Sequence, residues 1–155
     1  LSKLQEMGVD MDIEVDKVTI RGGNKLQAID VTTNPYPGLA TDLQQPFTVL
    51  QTQCNGKSKT TETIWENRFM HIPYLKDLGS DITVKNQTAT VIGPSKLKGT
   101  DVVATDLRAG AAMVAAGLKA EGKTTITSVE HILRGYENIT EKLTDVGAKI
   151  EEIEI

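Results

Sequence analysis

The chain has 155 residues, of which 39% are apolar and 25% charged, with 13 Gly and 5 Pro. That suits one compact domain, or a few small repeats sharing a core, and excludes a disordered, collagen-like or coiled-coil chain. A net charge of −4 argues against nucleic acid as the main partner. The longest uncharged apolar run, Ala109–Leu118, is too short to span a bilayer. No basic segment followed by an apolar run opens the chain, so neither a membrane partner nor a secretory signal is expected. One cysteine, Cys54, leaves no internal disulfide and no Cys-based zinc site, and no other residue set suggests a metal. The chain opens on Leu1 and not Met, which leads to the expectation of a fragment or a processed chain.

In chain order, Leu1–Arg21 reads as the end of a helix, a glycine cap at Gly8 and two strands. From Ile29 to Ile92 the pattern is strand, helix, strand, helix, strand, strand. Within it, Thr41 and Gln44 match a capping box at the start of the first helix. Cys54 ends that helix and reads as a small buried hydrophobe. Farther on, Val102–Ala104 is a short strand, and Asp106–Glu121 is a small-residue helix that Gly122 is expected to close. Lys123–Val129 is β-branched and alternating, a strand. Tyr136–Val146 carries a helical stripe ending at Gly147, and Ala148–Ile155 reads as a final strand.

The chain resembles itself. Gly8, Gly79 and Gly147 sit in similar octads, 71 and 68 residues apart, and Lys25-Leu26 and Asp30-Val31 match Lys96-Leu97 and Asp101-Val102. Three units are therefore expected: 1–27 as the tail of a first, 28–95 as a second and 96–155 as a third. A unit with one apolar face cannot bury it alone. The expected fold is α/β, with repeated βαβαββ units whose helices pack inside and whose sheets lie outside, an inside-out α/β barrel. The helix from Asp106, apolar on nearly every side from Ala109 to Leu118, is expected to be fully buried.

The polar residues of interest sit at repeated corners. Asp42 and Asp106 each follow a Thr and open a helix, where a carboxylate caps the free N–H groups and complements the dipole. Arg108 lies two residues on, in a first turn where a cation is disfavoured, which points to an anion nearby. Arg68 and Arg134 occupy matching strand-to-helix turns. Guanidinium forks bind phosphate and carboxylate, although a single arginine more often makes a surface salt bridge. His71 and His131 are isolated and read as turn or core residues.

Four strings carry a resemblance to a known family: Thr41-Asp42-Leu43-Gln44, Thr61–His71 with its Glu66-Asn67-Arg68-Phe69-Met70-His71, Ala104–Ala109, and Arg134-Gly135-Tyr136-Glu137. From about Lys3 onward the chain resembles the C-terminal part of the UDP-N-acetylglucosamine enolpyruvyl transferases. Trp65 stands where members often have Phe. The resemblance implies a fold of two domains, each with three βαβαββ units. It also implies transfer of the enolpyruvyl group of phosphoenolpyruvate to the 3-hydroxyl of UDP-N-acetylglucosamine, with loss of phosphate and no cofactor. That reaction is the first committed step of peptidoglycan synthesis in the bacterial cytoplasm. By resemblance, Asp42 contacts the reacting hydroxyl as general base, and the Ile64 backbone contacts the sugar nucleotide. Arg68, Asp106, Arg108 and Arg134 line the phosphoenolpyruvate pocket. The family's proton-donor cysteine and a phosphoenolpyruvate-binding lysine lie in the other, N-terminal domain, and Cys54 does not match that cysteine. One wall of an active site is thus expected, inactive alone. A shikimate-pathway transferase domain and a non-catalytic anion- or protein-binding repeat are the alternatives. The Asn67–His71 string argues against the first of these.

Overall fold

The computed structural model describes residues 1–23 and 25–153. Helix α1 (Ser2–Glu6) stops at Met7, and Gly8, at φ +88°, turns the chain into the antiparallel hairpin of β1 (Asp10–Ile13) and β2 (Val18–Arg21). Only glycine adopts that left-handed φ cheaply. Next come β3 (Val31–Thr32), a 3₁₀ turn (Thr41–Leu43), α2 (Gln44–Gln51) and β4 (Gly56–Thr61). Then α3 (Ile72–Asp77), β5 (Asp81–Lys85) and β6 (Thr88–Gly93) complete a 4-stranded sheet in the order β3-β4-β6-β5, parallel only between β3 and β4. The last stretch holds β7 (Asp101–Val103), α4 (Leu107–Lys119), β8 (Thr125–Thr127), α5 (Glu130–Leu133) and α6 (Ile139–Asp145), with β7 and β8 parallel. The class is α/β, as expected. Among the described residues, no helix is long and apolar enough to cross a membrane.

The main core joins Val49 of α2, Leu75 of α3, Ile82 and Val91 of the sheet, and Met113 and Ala116 of α4. Each such side chain, fully buried, stabilises by about 1.5–3 kcal/mol. Small residues let the elements around α4 approach closely. A Cβ on Gly110 would lie 2.4 Å from Ile132 Cγ1 of α5, and one on Gly135 would lie 2.5 Å from Leu107 Cδ1.

Several expectations are corrected. Helix α4 is not buried all round: Ala115 is exposed, and so is Leu118 at 45%. Its cap is Ala120, already extended, and not Gly122, because the next N–H, that of Glu121, turns to the Leu97 carbonyl at 2.9 Å. A tertiary backbone bond ends the helix before the glycine does. The strand Lys123–Val129 shortens to β8, and α5 occupies residues expected to be a turn. The helix Tyr136–Val146 begins only after Asn138, whose φ of 50° interrupts any earlier start. Residues 148–153 of the expected final strand form none, and Glu154 and Ile155 lie outside the described residues. The acidic pair Glu151-Glu152 breaks the alternation a strand needs. Residues 149–153 instead border a cavity of about 570 Å³ beside α4 and β8.

Gly110→Ala is expected to destabilise the fold even though Ala is the better helix former. The propensity gain is about 0.5–1 kcal/mol and the overpacking cost about 1–3 kcal/mol. Thermal unfolding should shift down by about 2–4 °C per kcal/mol of net loss. An unchanged or raised midpoint would show that α5 yields freely.

Candidate active site

The 3₁₀ turn at the head of α2 and the first turn of α4 come together because α2 and α4 pack against each other. Asp42, in the 3₁₀ turn, therefore meets Arg108 across 66 residues of sequence, with the Arg108 Nε–H donating to Asp42 Oδ1. Arg68 Nη1 lies 3.8 Å from the same oxygen. The anion called for by an arginine in a helix's first turn is thus supplied by the chain itself. The hydrogen bond from Arg108 outweighs partial burial and holds the Asp42 carboxyl below the usual carboxylate range, with Arg68 adding to the effect. Asp42 is ionised at neutral pH and half-exposed, able to accept a proton but occupied by guanidinium.

The two aspartates do different work. Asp106 is a true N-cap, accepting from the backbone N–H of Arg108 at 2.8 Å and of Ala109 at 3.1 Å. Asp42 caps nothing. The capping box expected of Thr41 and Gln44 is absent: α2 has no side-chain cap, the Thr41 hydroxyl turns to Glu62, and Gln44 is buried. Arg134 follows α5 directly and not a strand, because the chain leaves β8 at Thr127 and winds into a helical turn over Glu130–Leu133. It is exposed, and contact of Gly135 with Leu107 sets its turn beside the turn that bears Arg108. Arg68 is mostly buried, its guanidinium carbon 5.9 Å from the centre of the Trp65 ring, and its carbonyl accepts from Gln45 Nε2 at 3.3 Å. Trp65 and Arg68 border a cleft of about 290 Å³ that reaches Asn86 and Gln87 of the β5–β6 turn.

One residue of this region escaped notice in the sequence. Glu62, 1% exposed, follows the end of β4. Its Oε1 accepts from the Thr33 hydroxyl at 2.8 Å and from the N–H groups of Ile64 at 2.9 Å and Trp65 at 3.2 Å. Its Oε2 accepts from the Thr41 hydroxyl at 2.9 Å. Burial works to raise its pKa, but these four donors outweigh burial and hold the carboxyl below its ordinary value. The signal was strand parity: Ser58 and Thr60 lie on one buried face of β4, and Glu62, just past its end, continues that alternation. Because the face is polar, hydrophobic alternation did not reveal it.

His71 is fully buried at the head of α3, and neither ring nitrogen has a partner among the described residues. Burial lowers its pKa to about 4, against the opposing pull of the Asp106 charge and of the nearby Arg68 backbone. Cys54 is buried with Met7 and Ile29, and burial pushes its thiol up to about 11. It is the small buried hydrophobe expected, and its thiol stays protonated at neutral pH. Among the described residues, no group of three His, Cys, Asp or Glu could hold a metal ion.

This α/β architecture, with arginines gathered round one carboxylate, has known relatives. The family described as EPSP synthase (3-phosphoshikimate 1-carboxyvinyltransferase) matches residues 1–143, and the chain belongs to it. Within that family it is 49% identical over 153 residues to UDP-N-acetylglucosamine 1-carboxyvinyltransferase of Halothermothrix orenii, and 52% identical over 149 residues to UDP-N-acetylglucosamine 1-carboxyvinyltransferase 2 of Geobacillus kaustophilus. These alignments cover 99% and 96% of this chain but only 37% and 35% of the relatives. Among solved structures, the enolpyruvyl transferase NikO from Streptomyces tendae superposes with a TM-score of 0.89 at 35% identity, over 97% of this chain and 35% of that one. EPSP synthase from Acinetobacter baumannii shares the fold at a TM-score of 0.81 and 20% identity, over 97% of this chain and 38% of that one.

Neutral burial of His71 makes stability depend on pH. The folded pKa, about 4, lies below the ordinary 6.5, so the unfolded chain binds the extra proton. Stability is then full above about pH 6.5 and falls as pH drops toward 4, by on the order of 3 kcal/mol. Urea unfolding at intervals from pH 7.5 to 4.5 should trace this limb, and His71→Phe should flatten it. A limb identical in both proteins would assign the loss to other groups.

Proposed function

We propose that this chain is one wall of the active site of a UDP-N-acetylglucosamine 1-carboxyvinyltransferase. That enzyme moves the enolpyruvyl group of phosphoenolpyruvate to the 3-hydroxyl of the sugar nucleotide and releases phosphate. The observation that carries the reading is the Asp42–Arg108–Arg68 cluster: an ionised carboxylate shared by two guanidinium groups. It is supported by the identity to carboxyvinyltransferases that act, by their names, on UDP-N-acetylglucosamine. The proposed architecture is the inside-out arrangement of βαβαββ units, divided at 1–27, 28–95 and 96–155, with an N-terminal domain closing over this wall. The proposed setting is the bacterial cytoplasm and cell-wall synthesis, with no membrane or nucleic-acid partner.

Asp42 takes the proton of the 3-hydroxyl as its oxygen attacks C2 of phosphoenolpyruvate and the methylene carbon gains a proton, giving a tetrahedral intermediate. Phosphate then leaves as that carbon, now a methyl, gives a proton up again, which restores the double bond. The proton for the methylene carbon comes from outside this chain. Arg68, Arg108 and Arg134 balance the phosphate and carboxylate of phosphoenolpyruvate, where fixed charges in a closed site are worth most. Asp106 holds the turn that aims Arg108. An anionic substrate that draws Arg108 off Asp42 also frees the base and raises its proton affinity, so that binding and activation are one event. The N–H of Ile64 is taken by Glu62, which leaves its carbonyl as the backbone group that meets the sugar nucleotide.

In the complete enzyme, Asp42→Asn should keep sugar-nucleotide binding, since the amide preserves shape and one acceptor. Turnover should fall at least about a hundred-fold, within the range of general-base removal. Near-normal turnover at saturating substrate would leave Asp42 a mere partner of Arg108. Asp106→Asn, which keeps the cap, is the control.

Arg108→Ala and Arg134→Ala should raise the KM for phosphoenolpyruvate by about ten- to a hundred-fold, the loss of one charge-assisted bond of about 1.5–3 kcal/mol. They should spare the sugar nucleotide. Arg68→Lys should resemble the alanine variants, because an ammonium cannot reproduce the fork. Equal weakening toward both substrates would move these arginines out of the anion pocket.

A further inference from the structure

We infer that Glu62 is a positioning residue for the proposed transfer, its carboxylate fixing the Asp42 corner and the Ile64–Trp65 backbone relative to each other. The inference rests on the proposed function. Three separate segments end at this one carboxylate: the end of β3 at Thr33, the 3₁₀ turn at Thr41, and the loop at Ile64 and Trp65. The oxygens divide the task, with Oε1 holding the loop and the strand end and Oε2 holding only Thr41, the neighbour of Asp42. Thr33 tightens the arrangement, its hydroxyl accepting from the Thr63 N–H at 2.9 Å and its carbonyl accepting from the Thr63 hydroxyl.

A strand end alone needs no buried charge, since a neutral side chain satisfies two amides as well. A long forked side chain is called for where donors converge from several directions, as they do here: the carboxylate offers about four lone-pair sites, and the isosteric amide gives up only one accepting oxygen. The segments it joins carry the proposed base and the proposed sugar-nucleotide contact. A displacement of about 1 Å between a reacting hydroxyl and its base costs on the order of a hundred-fold in rate. Glu62 touches neither substrate nor reacting atoms in this scheme, and acts through Asp42 and Ile64.

The test is steady-state phosphate release from phosphoenolpyruvate, dependent on UDP-N-acetylglucosamine, with the complete enzyme. Glu62→Ala should raise the KM for the sugar nucleotide about ten-fold or more and lower kcat about a hundred-fold, while the KM for phosphoenolpyruvate stays within about two-fold. Glu62→Gln should restore both constants to within about three-fold: the amide oxygen keeps the three Oε1 bonds, and the Thr41 hydroxyl can turn to accept from the amide nitrogen. Thr41→Val breaks only the Oε2 link and keeps the branched shape. It should lower kcat about ten-fold with the sugar-nucleotide KM nearly unchanged, and it carries the test if Glu62→Ala does not fold. The inference is overturned by normal turnover in Thr41→Val. It is equally overturned if Glu62→Gln is as impaired as Glu62→Ala, or if both substrates' KM values rise together in Glu62→Ala. An unmutated enzyme without the activity overturns the proposed function, and the inference with it. An active enzyme with unaffected variants overturns the inference alone.

Discussion

The packing of α2 against α4 is the constraint on which the rest depends. Helix α4 buries Ala109, Gly110, Ala112 and Ala116 beside Met113 and Val114, and at the small positions its axis can lie close to its neighbours. The sheet covers one flank through Ile82 and Val91, and α5 closes on Gly110 from another. With two helices held side by side, their heads become neighbours, and groups at those heads meet however distant they are in sequence. The pairing of Asp42 with Arg108 is a by-product of that helix packing. A larger residue at Gly110 would thus be felt at the charged corner as well as in the core.

The interior beneath that corner is unusually polar. Gln51 of α2 accepts from the Thr60 hydroxyl at 2.6 Å and donates to the Ile29 carbonyl at 3.1 Å, tying α2 to β4 and to the chain entering β3. Thr48, Thr52 and Ser58 are buried nearby. Each such hydrogen bond adds only about 0.5–1.5 kcal/mol net, yet leaving a buried partner unmet costs about 1–3 kcal/mol. An interface of this kind is therefore less tolerant of register errors than an oily one, and it dictates where Asp42 stands more sharply than leucine packing would. Glu62 forms a second buried polar cluster close by, with the Thr33 and Thr41 hydroxyls.

Much of this was legible in the sequence, and the failures have physical causes. The order of elements from Ile29 to Ile92 followed from period and punctuation, because glycines at Gly56 and Gly79 adopt the positive φ that ends helices and opens strands. The corner residues were legible because aspartate and arginine at helix heads are conspicuous. What they do there was less so: Asp106 and Asp42 stand in matching words, but only the first has free N–H groups within reach, since a 3₁₀ turn intervenes at the second. Glu62 is silent in the sequence, because its partners are hydroxyls and amides from three segments that only the fold brings together. The last strand failed for want of a pairing partner among the described residues, and strand pairing is a non-local fact.

The Asp42 carboxylate has one more consequence, as a tethered competitor. An intramolecular anion next to Arg108 acts at an effective concentration set by its tether, and short tethers give values on the order of millimolar or above. A dilute monovalent anion in solution cannot displace it. An anion with two charged ends, able to engage several guanidinium groups at once, can. The resting ion pair thus filters for multivalent ligands, with no wall or gate to exclude the rest.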